Sequence, residues 1–505
     1  MGDGTGKEGR VMRRAGLAWG VGALAVVGML VGLLAVRSSA RTDPLMTTIA
    51  TTSGFPSLTL ASGNRAILAD QMGRRVHIVD TAAGRIMGTL TTGGAAVGPS
   101  LPLAVDARLH RAFVAWPAPA TGRGAAMTIA AIDVASGRTL GTVTTTLPPR
   151  SFGWPTYLAV DARRHRLFVL SLSYPATSLL TFDTTRLRVL RTVGLSPWRA
   201  GGGSWGMDGP PLAVDEATGR VFAGRVDEEV VAVLDATSGR LLRTVALPPL
   251  PSGGGIGTQV ACPLIDPGHA RVYIPNPAAN TFTTLNARTG DIVHTVHLAF
   301  QPARPLVDAA AGRVVLPYQS QYGYAVLDAR SGRLLRTRAS GPNPAIAPVA
   351  LDEGRQRAFV ADYMGGTVAV EDLRTGRTLR TVGVGVHPSG LAFDRRHDRV
   401  LVTDAGPCCT NGQQTGDGTL VVLDGANGRV VRTIPLGRSP QQPLIDAPAG
   451  RVLVVNAGGG TVTDPDPWGW VPRPIRQRLS VLPRPRTRPL SASVMLFDLA
   501  QMAKG

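Results

Sequence analysis

The sequence predicts an all-β fold, a single closed β-propeller of four-stranded blades, on the strength of two repeated signals. The first is an arginine that opens nine short apolar runs: Arg65, Arg111, Arg166, Arg220, Arg271, Arg313, Arg357, Arg399 and Arg451. The second is an aspartate five residues before the arginine in eight of these runs, as in LAVDARLHRAFVAW. A repeat of about 40 to 50 residues is typical of propellers and solenoids, because one unit cannot bury both of its faces alone.

Each unit reads as four short strands separated by Gly, Asp, Pro and Ser, with the alternating polarity of β-structure. In the second unit the predicted strands are Leu103 to Asp106, Arg111 to Trp116, Met127 to Asp133 and Arg138 to Val143. Four-stranded units around an axis leave only short sheet edges, which favours a propeller. Counting units gives nine blades; eight is the alternative, because the first and last units are the least regular.

The last unit supplies only three strands, PLIDA, RVLVVN and SVMLFDL, the last reaching Leu499. A fourth strand is available from MTTIATT, Met46 to Thr52, which precedes the first complete unit. We therefore expect this segment to complete the last blade and close the ring.

Tetrapeptides at the end of the second strand, such as FVAD at Phe359 to Asp362 and YIPN at Tyr273 to Asn276, resemble the YVTN-repeat propellers. The resemblance covers residues 46 to 499 and places the chain near the WD40-like and quinoprotein amine dehydrogenase-like propellers. It implies an extracytoplasmic binding or surface protein. It also leaves open an enzyme of the quinoprotein or lactonase-like type, with a site at the channel mouth.

The N-terminus predicts a membrane anchor. Residues 15–36 form an uncharged apolar stretch that is long enough to cross a bilayer as a helix. Basic residues before it favour a cytoplasmic tail, 1–14, and an exported propeller, 46–499, after a linker, 37–45, with a short tail at 500–505. A cleavable signal peptide is the alternative, and it would make the protein secreted.

The formal charge of +19 suggests an acidic partner, but Arg accounts for nearly all of the basic residues and about half of them recur in the repeated turns. We expect those arginines to form ion pairs or cover strand ends, and nucleic acid binding is not predicted. Cys408 and Cys409 are adjacent, whereas Cys262 reads as a core residue. Three cysteines are too few for a disulfide framework.

Loop lengths distinguish the two faces of the predicted ring. The turns between strands one and two, and between strands three and four, keep a constant step of five residues. The step from the second-strand arginine to the third-strand aspartate is 15 in five units but 22, 17, 25 and 47 in the others. In a meander the constant turns share one face, the constant face. The variable loops share the other, the variable face, which is the functional candidate. The constant face is expected to look toward the membrane.

The second strands end in mostly polar residues, which we predict to ring the channel mouth on the variable face. These positions are Asp70, Trp116, Ser171, Arg225, Asn276, Tyr318, Asp362, Asp404 and Asn456. The competing interpretation is local, because Asp and Asn also begin turns by binding their own backbone. A second candidate is the long Pro-rich loop 457–493, where aromatic and basic residues suit sugars or anionic polymers. Its candidate partner residues are Trp468, Trp470, Arg473, Arg476, Arg478, Arg484, Arg486 and Arg488.

No catalytic serine motif, metal spacing or phosphate loop occurs, so no catalytic, cofactor-binding or metal-binding residue is assigned. His387 is the one histidine at a blade connection on the variable face. The preferred hypothesis is a membrane-anchored extracytoplasmic propeller that binds a cell-envelope protein or glycan without chemistry and without a cofactor. The alternative is a lactonase-like hydrolase or quinoprotein-type oxidoreductase, with Ca²⁺ or a quinone at the channel mouth.

Overall fold

The chain divides into two compact units, Met1–Thr47 and Thr48–Gly505. A computed structural model describes residues 46–502 except 51–56, 62, 71–73, 94–101, 122–123, 150–155, 172–175, 198–210, 226–229, 249–261, 320, 343–347, 411–412, 415, 458–460, 464–486 and 490–491. No helix within these described ranges is long and apolar enough to cross a membrane. The predicted anchor, residues 15–36, and its flanking segments lie outside the described residues.

The unit Thr48–Gly505 is an all-β propeller of nine four-stranded blades, as the repeat count predicted. Blade 1 comprises β2 (Ser57–Ala61), β3 (Arg65–Asp70), β4 (Arg75–Asp80) and β5 (Arg85–Thr91), and blade 2 comprises β6 (Leu103–Asp106), β7 (Arg111–Thr121), β8 (Gly124–Asp133) and β9 (Thr139–Pro149). Blade 3 comprises β10 (Thr156–Asp161), β11 (Arg166–Ser171), β12 (Ala176–Asp183) and β13 (Arg188–Pro197), and blade 4 comprises β14 (Leu212–Asp215), β15 (Arg220–Arg225), β16 (Val230–Asp235) and β17 (Leu241–Ala246).

Blades 5 to 7 repeat the same antiparallel meander. They comprise β18 (Leu264–Asp266), β19 (Arg271–Asn276), β20 (Thr281–Asn286), β21 (Ile292–His297); β22 (Leu306–Asp308), β23 (Arg313–Pro317), β24 (Gln321–Asp328), β25 (Leu334–Pro342); β26 (Val349–Asp352), β27 (Arg357–Asp362), β28 (Thr367–Asp372) and β29 (Thr378–Gly383). The first strands of neighbouring blades contact one another, so they line the axis and the fourth strands form the rim.

Blades 8 and 9 carry the two longest insertions. Their strands are β30 (Pro388–Asp394), β31 (Arg399–Asp404), β34 (Thr419–Asp424), β35 (Val430–Pro435); β36 (Leu444–Asp446), β37 (Arg451–Asn456), β40 (Ser493–Asp498) and β1 (Met46–Ala50). Two hairpins occupy the insertions, β32 (Cys408–Thr410) with β33 (Gln413–Gln414) and β38 (Thr461–Thr463) with β39 (Thr487–Pro489). The predicted last strand ends one residue early, because Leu499–Met502 form a short helix, α1.

The ring closes as the sequence predicted. Strand β1 is the outer strand of blade 9, in the sheet order β1-β40-β37-β36. Ile49 packs in one buried cluster with Ala66 and Leu68 of blade 1 and Val494 and Leu496 of blade 9. Similar apolar clusters join the other neighbouring blades from 1 to 8. The core is therefore a set of interfaces between blades.

A left-handed residue explains the constant length of the two repeated turns. The residue before every second-strand arginine has positive φ, as in Asn64 (57°) and His110 (51°), and so does a residue one or two positions before each fourth strand of blades 1 to 8, mostly glycine. Each first-strand aspartate is at most 4% exposed. Asp106 is typical, because its Oδ1 accepts the N–H groups of Arg108 and Leu109. An inserted residue would break both features.

The repeated arginines join blades to one another. Seven second-strand arginines donate from the guanidinium to a turn of the following blade. Their acceptors, in chain order, are the oxygens of Thr184, Thr237, Arg288, Arg330, Gln356, Ala426 and Ala82. The last bond, from Arg451 to the Ala82 carbonyl, is 3.2 Å long and links blade 9 to blade 1. Much of the basic charge thus has a structural role, as expected.

Candidate binding surface

The predicted ring of second-strand ends is mostly buried. Asp70, Trp116, Ser171, Asn276, Tyr318, Asp404 and Asn456 are each at most 7% exposed. Asp362 is half-buried, and Arg225 ends β15 with its side chain outside the described part of the structure. Packing between neighbouring blades accounts for part of this burial, because Trp116 lies in the cluster of blades 1 and 2 and Tyr318 in that of blades 5 and 6. Ligand binding by the ring stays a prediction.

Several ring residues hold variable-face loops in place. Asp362 Oδ1 accepts the N–H groups of Met364 and Gly365, at 3.1 and 2.9 Å. Asn276 Oδ1 accepts the N–H of Ala279. Asp404 Oδ1 accepts the N–H groups of Val386 and His387, at 3.0 and 2.6 Å. These bonds are the local, turn-forming role that competed with ligand contact.

Tyr318 and Asn456 differ from these, because each has a buried polar atom, the Tyr318 hydroxyl and Asn456 Oδ1, with no hydrogen-bond partner among the described atoms. Burial raises the pKa of Tyr318 to about 12. Its ring lies 5.3 Å from that of Phe300 in a tilted arrangement, as in the interior of a protein. Both residues therefore belong to the interior of their blades.

The long loop of the last blade is described only in part. Thr461–Thr463 pair with Thr487–Pro489, and Val462 stands opposite Arg488. Trp468, Trp470, Arg473, Arg476, Arg478, Arg484 and Arg486 lie outside the described residues. Partner binding by this loop stays a prediction.

An exposed patch forms where blades 7 and 8 meet on the variable face. It consists of Tyr363, Met364, Val386, His387 and Pro407, which we call the blade 7–8 patch. Met364 is 60% exposed and Val386 is 47% exposed. The Tyr363 and His387 rings lie 4.7 Å apart, tilted by 32°. A turn of blade 7 and the connection from blade 7 to blade 8 thus present one aromatic and aliphatic surface.

Glycines and Asp404 fix the patch. Gly385 has φ of 147°, and a Cβ there would lie 2.3 Å from the Asp404 carboxylate. A Cβ on Gly366 would lie 2.4 Å from the Gly385 carbonyl oxygen. The Val384 N–H also donates to the Gly366 carbonyl. The two loops therefore touch through their backbones, which only glycine permits.

His387 has one defined proton position. Its Nδ1 lies 2.9 Å from the Gly406 carbonyl oxygen, which can only accept, so Nδ1 carries the hydrogen. In the neutral ring Nε2 is then an acceptor, available to a partner's donor. Burial, with a smaller effect of Asp404, raises the pKa of Tyr363, which keeps that hydroxyl protonated near neutrality. The patch therefore combines apolar area with one acceptor and one hydroxyl.

Sequence reasoning singled out His387 but missed Tyr363, Met364 and Val386. The available signal was glycine, in YMGGT between β27 and β28 and in GVGVHPSG at the blade 7–8 connection. Glycine clusters mark close backbone approach, but they do not show which two loops meet. That information is in the tertiary structure.

The donors that the structure describes at the channel mouth do not fit a Ca²⁺ ion. Within the described ranges, no three His, Cys, Asp or Glu side chains come together as a metal site. Asp362 and Asp404 each use Oδ1 on two backbone N–H groups. Ca²⁺ needs six to eight oxygen ligands, which these engaged carboxylates alone do not supply.

Comparison with known proteins identifies a family for most of the chain. The family model described as outer membrane protein assembly factor BamB matches residues 125–434, which is 310 of 505 residues. No curated protein matches. The dihydro-heme d1 dehydrogenase NirN, solved in complex with DHE, is 13% identical over 78% of each chain, with a TM-score of 0.45. Sqt1 of Saccharomyces cerevisiae is 10% identical, over 82% of this chain and 96% of its own, with a TM-score of 0.46. Similarities of this size to solved structures carry no functional argument.

Proposed function

The chain belongs to the family of the outer membrane protein assembly factor BamB, and on that premise we propose that it binds a protein of the cell envelope without chemistry. The blade 7–8 patch is the binding surface in this proposal. An N-terminal anchor at residues 15–36 holds the propeller on the extracytoplasmic side. Membership of the finer YVTN-repeat group is part of the same proposal.

The observation that carries the proposal is the exposed pair of Met364 and Val386 beside the rings of Tyr363 and His387, which lie 4.7 Å apart. Tyr and Met are enriched in protein interfaces, and Met adapts its shape to a partner. The supporting loops are fixed by Asp404 and by glycines, so the surface is organised before binding. A rigid scaffold with an apolar, partly aromatic patch suits a folded protein partner.

Photo-crosslinking in the native cells tests this proposal. A photoreactive amino acid replaces Met364 in the full chain, and we expect one discrete protein adduct after irradiation. The same amino acid at Asp291, an exposed residue of the constant face, is the matched control and should give no such adduct. Equal adducts from both positions would contradict the proposal.

A second measurement, on the purified full chain, distinguishes a binding protein from an enzyme. Metal analysis and an absorbance scan report Ca²⁺ and a quinone directly. Stoichiometric calcium or a quinone chromophore would favour a catalytic propeller over a binding protein. A protein without either group, together with the Met364 adduct, is the result that the proposal predicts.

A further inference from the structure

The outer strands of blades 1 to 8 all contain a β-bulge at the same register. The bulged residues, skipped in the pairing, are Met87, Leu140, Leu190, Leu242, Val293, Leu335, Leu379 and Val431. Bulges and charged side chains commonly protect a sheet edge from pairing with another chain. An apolar residue at all eight bulges has no such protective role.

These bulges account for most of the exposed apolar residues of the propeller. Of thirteen large hydrophobic residues exposed in the described part of the chain, eleven lie at a bulge or directly before one. They are Ile86, Leu140, Leu190, Leu241, Leu242, Ile292, Val293, Leu334, Leu335, Leu379 and Val430. The other two are Met364 and Val386 of the blade 7–8 patch. Single exposed hydrophobic residues are ordinary, whereas a repeated set at one register is not.

Arginine accompanies the bulges in seven of the eight blades. The residue two positions before the bulge is Arg85, Arg138, Arg188, Arg240, Arg333, Arg377 or Arg429, with Asp291 in blade 5. All seven arginines are exposed, and none forms an ion pair among the described residues. The aspartate that begins the same turn binds the turn itself, as Asp235 Oδ1 does with the Ser238 N–H. The positive charge is therefore free to meet an external anion.

The repeat places the bulged residues and the seven arginines at the same height along the propeller axis. Residues at the same register of equivalent strands lie at the same height along a propeller axis, here at the rim of the constant face. We call the bulged residues, the residues before them and the seven arginines the rim belt. A ring of aliphatic side chains and cations at one level fits a flat surface that is anionic outside and apolar beneath.

We propose that the rim belt docks the constant face onto a bilayer that contains anionic lipids. The arginines contact headgroups, and the aliphatic side chains enter the headgroup boundary. The variable face then points away from the bilayer toward its partner. This inference uses only the propeller, so it can fail while the proposed binding function of the variable face holds, and the reverse.

Hydrogen exchange of the full chain in lipid nanodiscs tests the proposal. The amides of Arg240–Thr244 and Arg333–Thr337 are followed by mass spectrometry in discs of phosphatidylcholine and in discs that also contain phosphatidylglycerol. We expect slower exchange of these segments only in the anionic discs, and loss of that protection at high salt. Because the comparison is between lipids, the predicted anchor contributes equally to both arms.

Two variants separate the charge from the apolar contact. In Arg240→Gln/Arg333→Gln/Arg377→Gln, each missing arginine weakens docking about fivefold, the equivalent of about 1 kcal/mol, so the protection disappears. In Leu242→Ser/Leu335→Ser/Leu379→Ser the protection also disappears. Met364→Ser/Val386→Ser changes the same chemistry on the variable face and should keep it.

Three results would overturn the proposal. One is equal exchange in neutral and anionic discs. A second is protection that survives in either triple variant. The third is protection that rises with protein concentration in the absence of lipid, which would assign the belt to contact with a second copy of the chain.

Discussion

At the residue scale, single aspartates and glycines determine the shape of the variable face. Asp404 shows the general point, because its carboxylate was a candidate ligand in the sequence and organises a loop in the structure. The polar ring was predicted from strand alternation, which places a residue at the end of a strand but does not show whether its side chain is buried. Burial depends on packing against the neighbouring blade, as for Trp116 and Tyr318, and no local sequence pattern reports it.

Gly385 gives the sharpest residue test of the blade 7–8 patch. Gly385→Ala forces a Cβ to within 2.3 Å of the Asp404 carboxylate, at a φ of 147° that alanine avoids. We expect a loss of about 1 to 3 kcal/mol in local stability and a lower yield of the Met364 adduct. Gly383→Ala is the control, because nothing lies within 4 Å of its Cβ position. Equal adduct yields in both variants would argue against a preorganised patch.

His77 predicts a pH dependence of stability. Burial lowers the pKa of His77 below its ordinary 6.5, an effect opposed by Asp70 and aided by Arg75. The unfolded chain therefore takes up a proton more readily, and stability falls as the pH decreases below about 6.5. In His77→Gln, the melting temperature should therefore depend less on pH below about 6.5 than it does in the wild type.

The partner of His77 supplies the control for that profile. Thr89 Oγ1 lies 2.9 Å from His77 Nδ1. Thr89→Val removes the hydroxyl and leaves the titrating ring in place, so it should keep the acidic slope. A His77→Gln profile as steep as that of the wild type would show that the slope comes from other groups.

At the element scale, the strands and constant turns were predictable because they depend on local chemistry. Left-handed residues before the arginines and buried aspartates at the ends of the first strands fix the turn length in blades 2 to 9. The bulges of the outer strands were not predictable, because a bulge is a mismatch between two strands and alternation within one strand does not reveal it. The extended hairpin of blade 2, Arg111–Thr121 with Gly124–Asp133, accounts for its step of 22.

The role of strand β1 in closing the ring can be tested by substitution. Ile49 is 7% exposed and packs between the first and last blades, whereas its neighbour Thr48 is exposed. Ile49→Ala should lower the free energy of unfolding by about 2 kcal/mol or more, because it leaves a cavity at the closure of the ring. Thr48→Ala should change it little. Urea titration measures both, and equal effects would contradict closure through β1.

At the scale of the whole molecule, the two faces of the propeller differ in the features that they carry. The constant face carries the repeated turns, the interblade arginine bonds and the rim belt. The variable face carries the described hairpins of blades 8 and 9 and the blade 7–8 patch. The sequence indicated this division through its loop lengths, but the pairing of two loops into one patch required the fold. Identical turns maintain the ring, and the loops are free to differ.

The central claim is that the blade 7–8 patch binds a protein partner. The most direct test is the affinity of the purified full chain for the partner identified through the Met364 adduct. Tyr363→Ala should weaken binding about 30-fold, equivalent to about 2 kcal/mol, because an aromatic anchor of an interface is removed. Leu335→Ser, on the rim belt, should leave the affinity unchanged. Unchanged affinity in Tyr363→Ala would contradict the account.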